Sequence, residues 1–174
     1  MRRFVLTNVV RAGITHTYDA VCRPETYQAT IPQHYPSVRV MSVRGDTSVA
    51  EEHVSLGGRE LVIMAKHVAS PPHRHETFVI GGDAKGSHIV HELADGRGNN
   101  GGGGYSDGVS HPTGHAANAA ANAATVITTT VSLKTGRLSI LSGIRTGGRS
   151  DRESFVRIMN DLVRVAEAGA QGRC

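Results

Sequence analysis

The stretch SDRESFVRIMNDLVRV, residues 150–165, decides how this chain folds. Its large apolar residues recur three and four positions apart, which places them along one side of a helix; they are Phe155, Ile158, Met159, Leu162 and Val165. Ser150 and Glu153 have the spacing of a capping box, so the helix is predicted to start at Ser150 and to run for about five turns. Its apolar side must be covered by another part of the chain.

The sequence before this helix contains short predicted strands that can cover its apolar side. Apolar and β-branched runs bounded by turn residues predict strands over 4–10, 38–43, 48–56, 61–68, 75–80, 87–93, 125–133 and 138–144. Two short helices are predicted after the first strand, one from Ile14 with Thr15 as its cap and one opened by Pro24. Strands joined by turns, without helices between them, pair as antiparallel hairpins. The expected fold class is therefore α+β.

Residues 95–124 differ from the rest of the chain. They contain four consecutive glycines, 101–104, and an Ala/Asn-rich run, 116–124, with few large apolar residues. Such a composition predicts a flexible insertion, because little apolar burial offsets the entropy of ordering it. A functional lid is the alternative interpretation. With 174 residues in all, the whole chain, 1–174, is expected to form a single domain that carries this insertion.

The charge and hydropathy of the chain limit the kinds of molecule that it is expected to bind. The net charge is +4 and the basic residues are dispersed, without the basic, aromatic-rich patch of a nucleic-acid-binding protein. A transient contact with an anionic membrane surface stays open as an alternative. We find no hydrophobic leader and no apolar stretch of membrane-spanning length, and we expect a cytoplasmic protein. Cys22 and Cys174 are expected to be reduced thiols, with Cys22 inert on an apolar helix face.

Two segments resemble a known family. ITHTYDAV at 14–21, followed by PETY at 24–27, is similar to the opening of the START-like (SRPBCC) superfamily, which includes polyketide cyclases and coenzyme Q-binding proteins. The segment 71–86 resembles that superfamily's central hairpin. The resemblance implies a helix-grip fold, in which a curved antiparallel sheet of six to seven strands wraps around the C-terminal helix and encloses an apolar cavity. The long insertion departs from the family pattern.

Side-chain alternation predicts which residues face that implied cavity. Glu60 and Lys66 share one face of their strand, which we assign to solvent, and the same logic places His88 and Glu92 outside on a later strand. The inward positions, together with the helix residues, form the predicted cavity lining: Leu61, Ile63, His67, Ile89, His91, Leu93, Phe155, Met159 and Leu162. The predicted function is binding or carriage of a hydrophobic small molecule (a lipid, an isoprenoid or quinone, or a polyketide-like compound), with no cofactor.

An enzyme that uses the same cavity is the first alternative. In a polyketide cyclase or dehydratase, His91 or His67 would act as general acid or base, a role that suits an imidazole near neutral pH. Such an enzyme needs a second catalytic group beside those histidines. The nearby carboxylates are predicted to alternate outward, so the non-enzymatic interpretation is favoured.

A cupin-like metal site is the second alternative. Residues 72–76, PHRHE, and 112–118, PTGHAAN, are similar to the two halves of a cupin motif. The spacing does not fit, because Glu76 directly follows His75 and would point to the opposite face of a strand. The sequence therefore predicts no metal site. The oligomeric state cannot be derived from any of these patterns.

Overall fold

The structure of the protein is a computed structural model that describes residues 1–96, 123–134 and 147–172. In chain order its elements are β1 (Arg2–Val10), α1 (Ile14–Val21), a turn of 3-10 helix (Pro24–Thr26), α2 (Tyr27–Thr30), β2 (Ser37–Arg44), β3 (Thr47–Leu56), β4 (Arg59–Ser70), β5 (Arg74–Gly82), β6 (His88–Asp95), β7 (Thr125–Leu133) and α3 (Gly147–Gln171). The predicted strand over 138–144, the second cupin-like segment and most of the predicted insertion lie outside the described residues.

The strands form one antiparallel sheet in the order β1-β7-β6-β5-β4-β3-β2. Alternation decides which face each side chain takes: along β7 every second residue is buried. Ala50 of β3 and Ala65 of β4 lie opposite each other and are fully buried. This buried, concave face packs against the apolar side of α3, where Met159 and Leu162 belong to the same core. The predicted α+β helix-grip class is confirmed.

The predicted start of the C-terminal helix is wrong. Helix α3 begins at Gly147, so Ser150 lies inside its first turn and is not the cap. The following turn of the helix is fixed to the turn between β3 and β4, because the backbone N–H of Gly57 donates to Ser154 Oγ at 3.0 Å. Packing against the rest of the protein therefore extends the helix beyond its local capping signal.

The predicted cap of α1 is wrong as well. The helix starts at Ile14 after Gly13, and Thr15 lies within it. The chain before this helix is fixed from a distance, because Thr125 Oγ1 on β7 donates to the backbone oxygen of Ala12 at 2.8 Å. The helix has no side-chain cap, and a hydrogen bond across 113 residues of sequence holds the chain that leads into it.

No helix within the described ranges is both long enough and apolar enough to cross a membrane. The longest of them, α3, carries charged residues along one side, as its amphipathic pattern predicts.

The end of β5 requires glycine. Gly82 has a φ of +71°, and a Cβ there would lie 2.2 Å from the backbone oxygen of Val62. Gly58 has a similar φ of +76°, but a Cβ there would meet nothing within 4 Å. We expect Gly58→Ala to cost only the left-handed backbone penalty, about 1–2 kcal/mol.

Gly82→Ala should cost about 1–3 kcal/mol more than Gly58→Ala, because the added methyl group also displaces the neighbouring strand. Urea denaturation of both variants beside the wild type measures the difference. Equal losses in the free energy of unfolding would show that the backbone near Gly82 adapts without cost.

Candidate functional site

A cavity of about 60 Å³ lies between the concave face of the sheet and α3; we call it the inner cavity. Eight of the nine predicted lining residues surround it: Leu61, Ile63, His67, Ile89, His91, Phe155, Met159 and Leu162. Leu93 is buried in the core but does not line it. The lining residues that alternation did not single out include Glu52 and Thr77 on the sheet and Tyr27 and Tyr35 beside it.

The inner cavity is smaller than the sites that usually bind small-molecule ligands. A space of about 60 Å³ holds a few water molecules, whereas sites for drug-sized ligands enclose roughly 300–1,000 Å³. A larger ligand therefore has to displace lining side chains. Met159 suits such a displacement, because an unbranched thioether changes rotamer readily. It lies on the helix with its sulfur 3.7 Å from Thr129 Oγ1.

A buried carboxylate forms part of the cavity wall. Glu52 on β3 is 2% exposed, and His67 on β4 is 4% exposed. His67 Nε2 donates to Glu52 Oε1 at 2.8 Å, and its other ring nitrogen lies 3.2 Å from Thr77 Oγ1. The prediction that the nearby carboxylates all point outward is wrong for Glu52. Alternation along β3, where Ala50 and Val54 also face inward, was the signal that could have found it.

Three histidine rings lie side by side across neighbouring strands of the concave face. The ring centroids of His67 and His75 are 5.3 Å apart, and those of His75 and His91 are 6.1 Å apart, each pair nearly parallel. His91 is anchored by Thr129 Oγ1, 2.9 Å from its Nδ1. His75, between them, is 2% exposed, and its Nδ1 has no hydrogen-bond partner in the part of the chain that the structure describes.

Burial keeps two of these rings uncharged at neutral pH. Loss of hydration, and then the neighbouring histidines, lower the pKa of His75 to about 3. The same loss of hydration, with His67 as the second cause, lowers the pKa of His91 to about 4. Each neutral ring has one nitrogen that donates a hydrogen bond and one that accepts.

The residues of the cupin-like segment diverge in space. Glu76 points to the convex face, where it accepts hydrogen bonds from Arg74 and His88, while His75 points to the concave face. Within 1–96, 123–134 and 147–172 there is no group of three or more His, Cys, Asp or Glu side chains placed to hold a metal ion.

The order of strands and helices has clear counterparts among solved structures. A START superfamily protein from Mycobacterium smegmatis matches with a TM-score of 0.64 and 12% identity, over 99% of both chains. Zhui aromatase/cyclase from Streptomyces sp. R1128 matches with a TM-score of 0.61 and 14% identity, over 99% of this chain and 94% of that one. The di-domain ARO/CYC BexL from the BE-7585A biosynthetic pathway matches with a TM-score of 0.63 and 16% identity.

This chain has the START-like helix-grip fold. The family resemblance of residues 14–27 and 71–86 is thereby confirmed at the level of fold. The chain spans about half the length of BexL, 51% of it. No protein-family model matches the sequence, and no curated protein matches it.

A second space opens on the concave face of this START-like fold; we call it the outer cleft. It has a volume of about 380 Å³ and lies between α1 with the following 3-10 turn and the ends of β2, β3 and β4. His67 lines both the inner cavity and the outer cleft, and His75 lines the outer cleft. Cys22 also lies beside the cleft, but burial raises the pKa of its thiol, so it is a poor nucleophile.

Proposed function

We propose that this protein binds or carries a hydrophobic small molecule in the inner cavity. The observation that carries the proposal is the character of the lining. Apolar side chains from five strands and from α3 surround a small number of buried polar groups, the arrangement in which small-molecule sites orient apolar ligands. The ligand classes that suit this lining are lipids, isoprenoids or quinones, and polyketide-like compounds.

The polar groups determine what kind of apolar molecule fits. Glu52, His67 and His91 face the cavity from one side, while the helix presents Phe155 and Met159 from the other. A ligand with a carbonyl or hydroxyl group on an otherwise apolar skeleton satisfies both sides. The START superfamily protein and the Zhui aromatase/cyclase, which share this fold, support the proposal at the level of fold.

Binding of the neutral fluorophore Nile red tests the proposal. Leu61 and Val62 are neighbours on β4; Leu61 lines the cavity and Val62 is 40% exposed on the convex face. We expect Leu61→Phe to weaken Nile red binding at least about tenfold, roughly 1.4 kcal/mol, because the larger ring occupies the ligand's space. The matched control Val62→Phe should leave binding unchanged.

Met159→Trp provides a second obstruction from the opposite wall and should weaken binding in the same way. Circular dichroism checks that each variant is folded. Absence of Nile red binding to the wild type, or equal affinities of Leu61→Phe and Val62→Phe, would contradict binding in the inner cavity.

Acid–base catalysis on a carbonyl compound is a second candidate function, and Glu52 is the observation that favours it. A cyclase or dehydratase needs a second group beside His67, and Glu52 supplies one. His67 holds one carboxylate oxygen, while the other has no hydrogen-bond partner among the described residues. In that role Glu52 would take a proton from the carbon next to a carbonyl group, and the electron pair would move onto the carbonyl oxygen.

Proton exchange at the α-carbon of 2-tetralone, followed by NMR in deuterated water, tests this function. Glu52 would remove the α-proton and, after exchange with solvent, return a deuteron to the same carbon. We expect exchange above the buffer rate that falls about 100-fold or more in Glu52→Gln, the usual contribution of a general base. Exchange at the buffer rate with wild-type protein that binds 2-tetralone would contradict catalysis and leave binding alone.

A further inference from the structure

The two spaces on the concave face share an unusual charge pattern. Of the described residues, no Lys or Arg lines the inner cavity, whereas Glu52 does. The outer cleft is lined by Asp19, Glu25 and Asp46, and its one cation among the described residues, Arg23, is paired with Asp19 at 2.7 Å. Both spaces are therefore electronegative, in a chain whose net charge is +4.

A buried side chain gives the outer cleft a second, independent feature. His75 lines it, is 2% exposed, and its Nδ1 has no hydrogen-bond partner among the described residues. A buried polar atom left without a partner destabilises the protein. A ligand hydroxyl or amine in the cleft can form a hydrogen bond with this neutral ring, which has one nitrogen that donates and one that accepts.

The two spaces adjoin at His67, which lines both of them. A molecule that occupies both the apolar lining beneath α3 and the polar rim beside α1 therefore has to pass beside the His67 ring. We propose that the outer cleft is a subsite for the polar, non-anionic end of such a ligand, an amine or a hydroxyl, while its apolar part occupies the inner cavity. This proposal rests on the proposed function and defines its ligand class more closely.

The carboxylates that line both spaces should favour ligands with a cationic or neutral end over ligands with an anionic end. A carboxylate or phosphate placed in either space would lose hydration and face Glu52, Glu25 or Asp46 without a free cation from the described residues to pair with. An ammonium group would instead be attracted to the carboxylates of the cleft. Because the whole chain is positively charged, a preference for an amine over a carboxylate cannot come from net charge.

Displacement of bound Nile red by three ligands with the same ten-carbon chain tests the subsite: decylamine, decanol and decanoate at pH 7. Decylamine and decanol should each displace Nile red at concentrations at least tenfold lower than decanoate. The double variant Glu25→Gln/Asp46→Asn should weaken decylamine at least threefold and leave decanol unchanged. The matched control Glu60→Gln/Glu92→Gln removes two exposed carboxylates outside both spaces and should change neither ligand.

The outcomes separate the two proposals. Failure of Nile red to bind wild-type protein would overturn the proposed function, and the subsite with it. If Nile red binds but decanoate displaces it as well as decylamine does, or the two double variants behave alike, the subsite is overturned while the inner cavity stands as a binding site.

Discussion

Replacing His67 by Leu should lower the free energy of unfolding by about 3–5 kcal/mol, the usual cost of removing one partner of a buried pair. His67 supplies the hydrogen bond to Glu52 Oε1 at 2.8 Å, and Glu52 is only 2% exposed. Without the imidazole, the buried carboxylate loses its one hydrogen-bond donor among the described residues. Glu52→Leu should cost less, about 1–3 kcal/mol, because it leaves only one ring nitrogen of His67 without its partner.

The double variant Glu52→Leu/His67→Leu isolates the interaction energy between Glu52 and His67 from the effect of each substitution alone. It removes both polar groups, so its free energy of unfolding should exceed that of His67→Leu. Urea denaturation of the wild type, both single variants and the double variant completes the cycle. If the two single losses simply add in the double variant, Glu52 and His67 do not interact as the structure describes.

Acidification from pH 7 to pH 4 should cost about 6 kcal/mol through His75 and His91 together. Their folded-state pKa values, about 3 and about 4, lie below the value of about 6.5 in an unfolded chain. The unfolded chain therefore binds more protons below pH 6.5, and stability falls as the pH falls. With both rings contributing, the slope between pH 6 and pH 4.5 should be about 2 kcal/mol per pH unit.

His75→Phe tests this slope, because phenylalanine retains the stacked ring and cannot be protonated. We expect the variant to lose about half of the dependence on pH, roughly 1 kcal/mol per unit. His53→Phe is the matched control on the convex side of β3, where the side chain is 33% exposed, and it should retain the wild-type slope. An unchanged slope in His75→Phe would show that this ring is already protonated or accessible in the folded protein.

Local sequence patterns were sufficient to predict the fold and to place many of the residues that line the inner cavity. Alternation is a property of each strand alone, so it assigned Ile63 and Ile89 to the concave face without knowledge of the pairing. The spacing of apolar residues three and four positions apart likewise placed Met159 on the apolar side of α3. These assignments need no information about distant parts of the chain.

Features that depend on distant contacts could not be predicted in this way. The Glu52–His67 contact joins two strands and depends on the register of their hairpin, which alternation does not specify. The neutral state of His75 depends on its burial and on the His67 and His91 rings of the two neighbouring strands. The volume of the inner cavity depends on how closely α3 approaches the sheet, which no single segment determines.

The methionine methyl groups offer the most direct test of ligand binding beneath α3. The chain has four methionines, and Met159, 1% exposed, lines the inner cavity. Met1 and Met41 are exposed, at 83% and 50%, and Met64 lies outside the cavity lining. NMR of protein labelled with ¹³C at these methyl groups therefore reports on one buried probe and three controls.

Titration with 2-naphthol should shift the Met159 methyl resonance by the ring current of the bound aromatic ligand and leave the other three unchanged. Met159→Leu identifies the resonance by its loss. A ligand that shifts Met1, Met41 or Met64 while the Met159 resonance stays in place at saturation would show binding at the surface, and would contradict the inner cavity as the ligand site.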